Sequence, residues 1–192
     1  MKRIGIFGGT FDPVHLGHLI LGRDAVEELR LDELHFVPAA RNPFKAGEDE
    51  PRPAPGELRV KMLELATAGD PRLRVDPREI RREPPSYSID TARGISAENP
   101  GALLFFLIGD DNVAGLDRWK NIRELRELVT FAVFTRHHVD YPGRYPLLTR
   151  EVAISATEIR NRVAHGRSIR YLVCEPVREF IEQHGLYRRD AP

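Results

Sequence analysis

A chain of 192 residues suits one domain and is long enough to bury a substantial core. Its 29 Lys+Arg are matched by 29 Asp+Glu, a formal net charge of zero, so no surplus of positive charge is available to hold a nucleic-acid backbone. The single cysteine, Cys174, cannot form an intramolecular disulfide, nothing resembles Cys/His zinc spacing, and no stretch approaches the ~20 apolar residues of a membrane span; a cytoplasmic protein with no nucleic-acid or membrane partner is expected.

The opening MKRIGIFGG has too short an apolar run for a signal peptide and predicts a first strand over residues 3–7. A helix follows over 15–31, then a strand over 34–37. Residues 41–56, RNPFKAGEDEPRPAPG, are dense in proline and charge without apolar period, which predicts a mobile loop. Beyond it come a helix over 57–68, a strand over 73–76, a helix over 88–97 and a strongly apolar strand over 103–108. A helix over 121–128 and a strand over 130–135 continue the alternation, followed by an irregular connection over 137–149 and a short strand near Val152. Two helices, 156–164 and 176–184, close the chain. Alternating strands and helices, with strands apolar nearly throughout, predict an α/β fold: a Rossmann-like open parallel sheet with helices on both faces. The last helices make a small C-terminal helical extension, residues 155–192, within a single domain spanning 1–192.

In such a sheet, ligands bind beyond the carboxyl ends of the strands, where helix N-termini point free N–H groups. The first of these junctions carries GGTFDPVHLGHL, residues 8–19. Gly8 and Gly9 let backbone approach a ligand, Asp12-Pro13 fixes the turn, and the following helix offers its positive dipole end to an anion. His15 and His18, three apart, share one face of the first helical turn. Capping or core histidines after a glycine-rich turn are the plainer interpretation, but two glycines together with HxGH at a first strand-to-helix junction favour a phosphate site. The stretch is neither a P-loop nor a GxGxxG fingerprint.

Later segments add their own chemistry. In ISATEIR, Ser155 and Glu158 have capping-box spacing and predict a helix start, while Thr157 and Arg160 add a hydroxyl and a guanidinium to the free N–H groups there, the equipment of a phosphate clamp. IGDDNVAGLDRW follows the most apolar strand, and a helix cap accounts for one of its two adjacent aspartates. Trp119, the only tryptophan, is a core residue on general grounds. His35, His137, His138, His165 and His184 are read as surface residues, and Cys174 as half-buried packing.

GGTFDPVHLGHL strongly resembles the signature of the HxGH nucleotidyltransferases, whose histidines contact the triphosphate of ATP during adenylyl transfer. VPAARNPFK (37–45), PSYSIDT (85–91), IGDDNVAGLDRW (108–119) and ISATEIR (154–160) follow in the order and spacing of bacterial nicotinate-nucleotide adenylyltransferases, and the ending YLVCEPVREFIEQHGLY (171–187) is similar too. The resemblance implies transfer of the adenylyl group of ATP to nicotinate mononucleotide. It implies catalytic roles for His15, His18, Lys45 and Arg160, with Lys45 arriving when its loop folds over the ligand. Gly8, Gly9, Thr10, Phe11, Ser155 and Thr157 are implied at the ATP phosphates. Tyr87, Ser88, Asp111, Trp119 and Arg136 are implied at the mononucleotide, Asp111 on a ribose, Trp119 stacked on the nicotinate ring, and backbone N–H groups near Tyr87 and Ser88 receiving the carboxylate. With Asp111 so placed, the resemblance leaves the helix cap to Asp110. Mg²⁺ is implied as a cofactor carried mainly by the phosphates, without a protein ligand.

Two departures stand out. Phe44 occupies the place of a histidine usual before Lys45, and Arg136 is followed by His137 and His138 where Pro-Gly is common. Another HxGH adenylyltransferase, of phosphopantetheine, nicotinamide mononucleotide or dual specificity, and a nucleotide-sensing module without turnover are the alternatives. Whether the chain forms a homo-oligomer is left open.

Overall fold

The computed structural model describes residues 1–40, 53–135 and 145–188. Six strands make one sheet: β1 (Arg3–Gly9), β2 (Glu33–Pro38), β3 (Leu73–Val75), β4 (Leu103–Gly109), β5 (Val129–Thr135) and β6 (Leu147–Thr149). Every pairing is parallel, and the spatial order is β3-β2-β1-β4-β5-β6. This is the Rossmann-like sheet expected. The order reverses between β1 and β4, the place where open parallel sheets carry a ligand crevice beyond the carboxyl ends of their strands.

Burial on both faces explains the long apolar runs. Along β4, Phe105 and Leu107 point into one core cluster, and Leu104, Phe106 and Ile108 into the other. The first cluster is covered by α1 (Leu16–Glu28), α2 (Gly56–Thr67), α7 (Ala156–Ala164) and α8 (Glu175–Gln183), through residues such as Val26, Met62, Ile159 and Val177. The second is covered by α4 (Ser88–Glu98) and α6 (Ile122–Leu128), through Ile89, Ile95 and Leu125. The C-terminal helices thus share a core with β1 and β2 neighbours.

The sequence expectations shift in identifiable ways. β1 continues through its glycines, with Gly8 paired to Val37 and Gly9 to Pro38. α1 stops at Glu28, because Arg30 takes the left-handed conformation (φ 50°) and the Leu31 N–H donates back to the Val26 carbonyl at 2.9 Å, turning the chain into β2. The last strand lies at Leu147–Thr149, not near Val152, inside the stretch expected to be irregular. Short α3 (Arg78–Arg81), α5 (Asp110–Val113) and a 3-10 turn (Leu116–Arg118) were not expected. Asp110 is the first residue of α5, with extended Gly109 in the capping position; its side chain still accepts from the Asp111 N–H at 2.9 Å. His35 is not a surface residue. β2 is paired on both sides, and the His35 ring lies 2.9 Å from Glu33 Oε1 and 3.6 Å from Asp76 Oδ2.

Of the loop predicted over 41–56, residues 41–52, with Phe44 and Lys45, lie outside the described residues, as do Arg136, His137 and His138. Its end is anchored: Ala54 is bonded through both its N–H and its carbonyl. Among the described residues no helix is long and apolar enough to cross a membrane.

Candidate active site

β1 delivers the chain to the crevice at Gly9, and the next residues turn sharply. Phe11 takes a left-handed conformation (φ 50°), which costs a non-glycine residue about 1–2 kcal/mol. Its ring is 2% exposed, and burying it returns roughly 1.5–3 kcal/mol, so the turn is held by packing. Gly9 makes the packing possible, because a Cβ there would lie 2.9 Å from the Phe11 ring. The Asp12-Pro13 peptide is cis.

His15 then caps α1 from an extended conformation, and the two histidine rings stack at 3.7 Å with 25° between their planes. The glycine between them leaves room for the stack: a Cβ on Gly17 would sit 3.0 Å from His15 Nδ1, and the ring would have to give way. The backbone N–H of His15 donates to Nδ1 of His18 at 3.2 Å. A nitrogen that accepts carries no proton, so the ring hydrogen of neutral His18 is on Nε2. Phe11 packs edge-on against His18 at 4.9 Å and Phe7 at 6.0 Å. His15 is buried and His18 half-buried.

Arg160 comes from the other end of the chain. α7 begins at Ser155, whose hydroxyl accepts from the Glu158 N–H at 3.1 Å, the expected cap. One turn later Arg160 Nη1 donates to the Asp12 carbonyl at 2.7 Å and Nη2 to the Thr157 hydroxyl at 3.1 Å. The start of α7 is therefore tied to the turn that leads into α1.

Beneath them is a polar hub that the sequence reading missed. Asp12 is 6% exposed, and its Oδ1 accepts from the Ala54 N–H at 3.1 Å and the Tyr187 hydroxyl at 2.7 Å. Arg160 lies 3.8 Å from its Oδ2. Arg59, 2% exposed, donates to the carbonyls of Thr10 (2.7 Å), Ala39 (2.9 Å) and Ala54 (2.9 Å). Burial works against the Arg59 charge and the Asp12 carboxylate works for it; a guanidinium remains protonated under both. Burial, then Asp12, pushes the Tyr187 hydroxyl well above the usual tyrosine range and keeps it a donor. One signal for Arg59 was available: it precedes Met62 and Leu63 by three and four residues, on the buried face of α2.

A second group lies at α4 and the 3-10 turn. Tyr87 caps α4 without a side-chain hydrogen bond to it, and Ser88 is its first residue. Trp119 is half-buried and meets Phe106 and Phe131 edge-on at 5.9 and 6.1 Å. Lys120, which sequence did not single out, sits 4.0 Å over the Tyr87 ring and 3.9 Å from Asp90. Asp111 is exposed at the end of β4, where its Oδ1 accepts from the Asn112 amide at 2.8 Å. The first group thus gathers imidazole and guanidinium side chains at two helix starts, and the second sets aromatic side chains and a lysine near the start of α4.

A family model described as cytidylyltransferase-like matches residues 6–162. The chain is 46% identical over 190 residues to the probable nicotinate-nucleotide adenylyltransferase of Geobacillus thermodenitrificans, covering 97% of this chain and 87% of that one. It is 44% identical over 192 residues to the probable nicotinate-nucleotide adenylyltransferase of Thermus thermophilus, covering 97% and 100%. A solved structure of Plasmodium falciparum nicotinic acid mononucleotide adenylyltransferase, complexed with NaAD, superposes with a TM-score of 0.75 over 97% of this chain and 98% of that one. At 19% identity, that likeness bears on the fold alone.

Proposed function

The chain belongs to the cytidylyltransferase-like family and, within it, to the nicotinate-nucleotide adenylyltransferases, and from that premise we infer that it transfers the adenylyl group of ATP to nicotinate mononucleotide, giving deamido-NAD and pyrophosphate. The observation that carries the assignment of roles is that Arg160, from the start of α7, bonds the Asp12 turn that leads into the stacked His15–His18 pair at the start of α1.

The mononucleotide phosphate, its second pKa near ~6, is largely a dianion at neutral pH and needs no general base. One of its oxygens attacks the α-phosphorus in line; the new P–O bond forms as the bond to the bridging oxygen breaks, and that electron pair leaves with pyrophosphate. The chain's task is to position the reactants and stabilise developing charge. In our reading His15 and His18 supply donors to the triphosphate, His18 through Nε2–H. Arg160 keeps its carbonyl and hydroxyl partners and turns its remaining N–H groups to the phosphates. Gly8, Gly9, Thr10 and Phe11 line the nucleotide's approach, with Ser155 and Thr157 at the start of α7. Trp119 stacks on the nicotinate ring, Asp111 receives a ribose hydroxyl, and the first-turn N–H groups of α4 beside Tyr87 and Ser88 receive the carboxylate. Lys45 and Arg136 enter on the family resemblance alone.

Mg²⁺ belongs to the proposal as a companion of ATP. By the chemistry of the ion its partners would be phosphate oxygens and water, and it would neutralise phosphate charge; among the described residues no group of three or more His, Cys, Asp or Glu could hold a metal ion. We assign the reaction to the cytoplasm.

Incubation with Mg-ATP and nicotinate mononucleotide, nicotinamide mononucleotide or phosphopantetheine, following pyrophosphate release, tests the reading. A carboxylate gains charge-assisted bonds from N–H donors, whereas an amide must turn or face donor to donor, so kcat/KM should favour the acid by ~10² or more. Comparable values for the two mononucleotides would replace acid specificity by dual specificity. Release with phosphopantetheine alone would overturn the acceptor.

A further inference from the structure

Glu79, on α3, buries a carboxyl whose partners are hydroxyl groups. It is 7% exposed, and beside it Ser86 and Thr91 are 8% and 0% exposed. The Thr91 hydroxyl donates to Glu79 Oε1, and a Ser86 hydrogen bond also holds the carboxylate. Ser86 Oγ accepts from the Ala40 N–H at 3.1 Å, which leaves its own hydrogen for Glu79. Arg82 reaches the Thr91 hydroxyl at 3.5 Å and attracts the carboxylate from a distance, while Asp76 repels it. Burial pushes the Glu79 carboxyl above the ordinary glutamate range, and the two hydroxyl bonds oppose that rise.

An aliphatic side chain would fill this space without desolvating a charge. What a carboxylate adds is direction: it accepts from two hydroxyls at once, and each belongs to a different part of the acceptor end. Ser86 immediately precedes Tyr87 and Ser88, Thr91 lies one turn into α4, and Ala40 follows β2. Through Ser86 the carboxylate fixes the entry to α4 against the carboxyl end of the sheet.

We propose that Glu79 is a positioning residue for the mononucleotide: it holds the Ser86–Ser88 entry so that the first-turn N–H groups of α4 converge on the nicotinate carboxylate. This rests on the acceptor assignment above. Glu79 does not touch the substrate; it sets how sharply acid is told from amide.

The test compares wild type, Glu79→Gln, Ser86→Ala and Ser86→Thr as full-length proteins, with KM for ATP and for each mononucleotide. Glutamine retains one carbonyl acceptor but turns an NH₂ toward the second hydroxyl, so the pair of bonds is broken without a change of shape. In Glu79→Gln and Ser86→Ala the KM for nicotinate mononucleotide should rise ~10-fold or more and the acid-to-amide ratio should fall by a similar factor, with KM for ATP moving less than about threefold. Ser86→Thr, which keeps the hydroxyl, should restore the ratio. If Glu79→Gln does not fold, the Ser86 pair decides. A selective wild type whose selectivity survives in folded Ser86→Ala, or a KM for ATP that rises as much as that for the mononucleotide, overturns the inference alone. A wild type without acid preference overturns the acceptor reading and this inference with it.

Discussion

Around the first turns of α1 and α7 the proposed triphosphate groups are already bonded to the protein: His18 to the His15 N–H and Arg160 to the Asp12 carbonyl, on a turn that Asp12 itself ties to Ala54 and Tyr187. At the 3-10 turn the proposed ring-binding group, Trp119, meets two phenylalanines edge-on, while Tyr87, the cap of α4, lies under Lys120. The difference matches the work assigned to each end. Charge that develops during a reaction is stabilised most by donors that need not reorganise. A flat ring asks only for a surface of the right shape.

Three measurements can break or sharpen that contrast. The largest effect is expected from His18→Ala, which removes a donor aimed at the transition state: kcat should fall by ~10² or more with the fold intact. Single-turnover rates would check it, and a wild-type kcat would remove His18 from the machinery. Next is Trp119→Ala, where loss of stacking should raise KM for both mononucleotides by ~10-fold while largely preserving their ratio, since either ring stacks equally. A change in the ratio would mean that the tryptophan also orients the carboxylate.

The smallest effect is expected from Tyr187→Phe, at about 1.5–3 kcal/mol of stability for one hydrogen bond to a carboxylate. Its pH dependence is more telling. Folded Tyr187 keeps its proton where an unfolded tyrosine, with a pKa of about 10, releases it. Above about pH 10 the folded chain therefore binds more protons than the unfolded one; the stability from this group is complete below that value and declines as pH rises. Thermal melts across that range should show a shallower alkaline decline for Tyr187→Phe. An unchanged slope would mean that the hydroxyl is not held as described.

Sequence displayed the central strands and the β3 edge but misplaced the other edge, β6. β4 and β5 are covered on both faces and spell LLFFLIG and VTFAVFT, whereas β6 has one strand neighbour and buries only Leu148, leaving no apolar run to see. Short α3 and α5, four residues each, complete too little of a helical period to register. The same divide runs through the site. HxGH was legible because its parts are adjacent and their spacing is itself the geometry. The hub was not, because Tyr187 and Asp12 are 175 residues apart and an arginine on a helix ordinarily reads as a solvated face.

That hub also sets a schedule for making the protein. β1 and the Asp12 turn leave a ribosome, which adds roughly 5–20 residues per second, ahead of the groups that hold the turn. Those partners follow in stages: Ala54 and Arg59 first, Arg160 much later, and Tyr187 last, 175 residues after Asp12. A growing chain can pair β1 with β2 long before Arg160 and Tyr187 are in place. The bonds that tie the turn to Arg160 and Tyr187 are thus the last of the hub to form, and until then the stacked His15–His18 pair stands without Arg160.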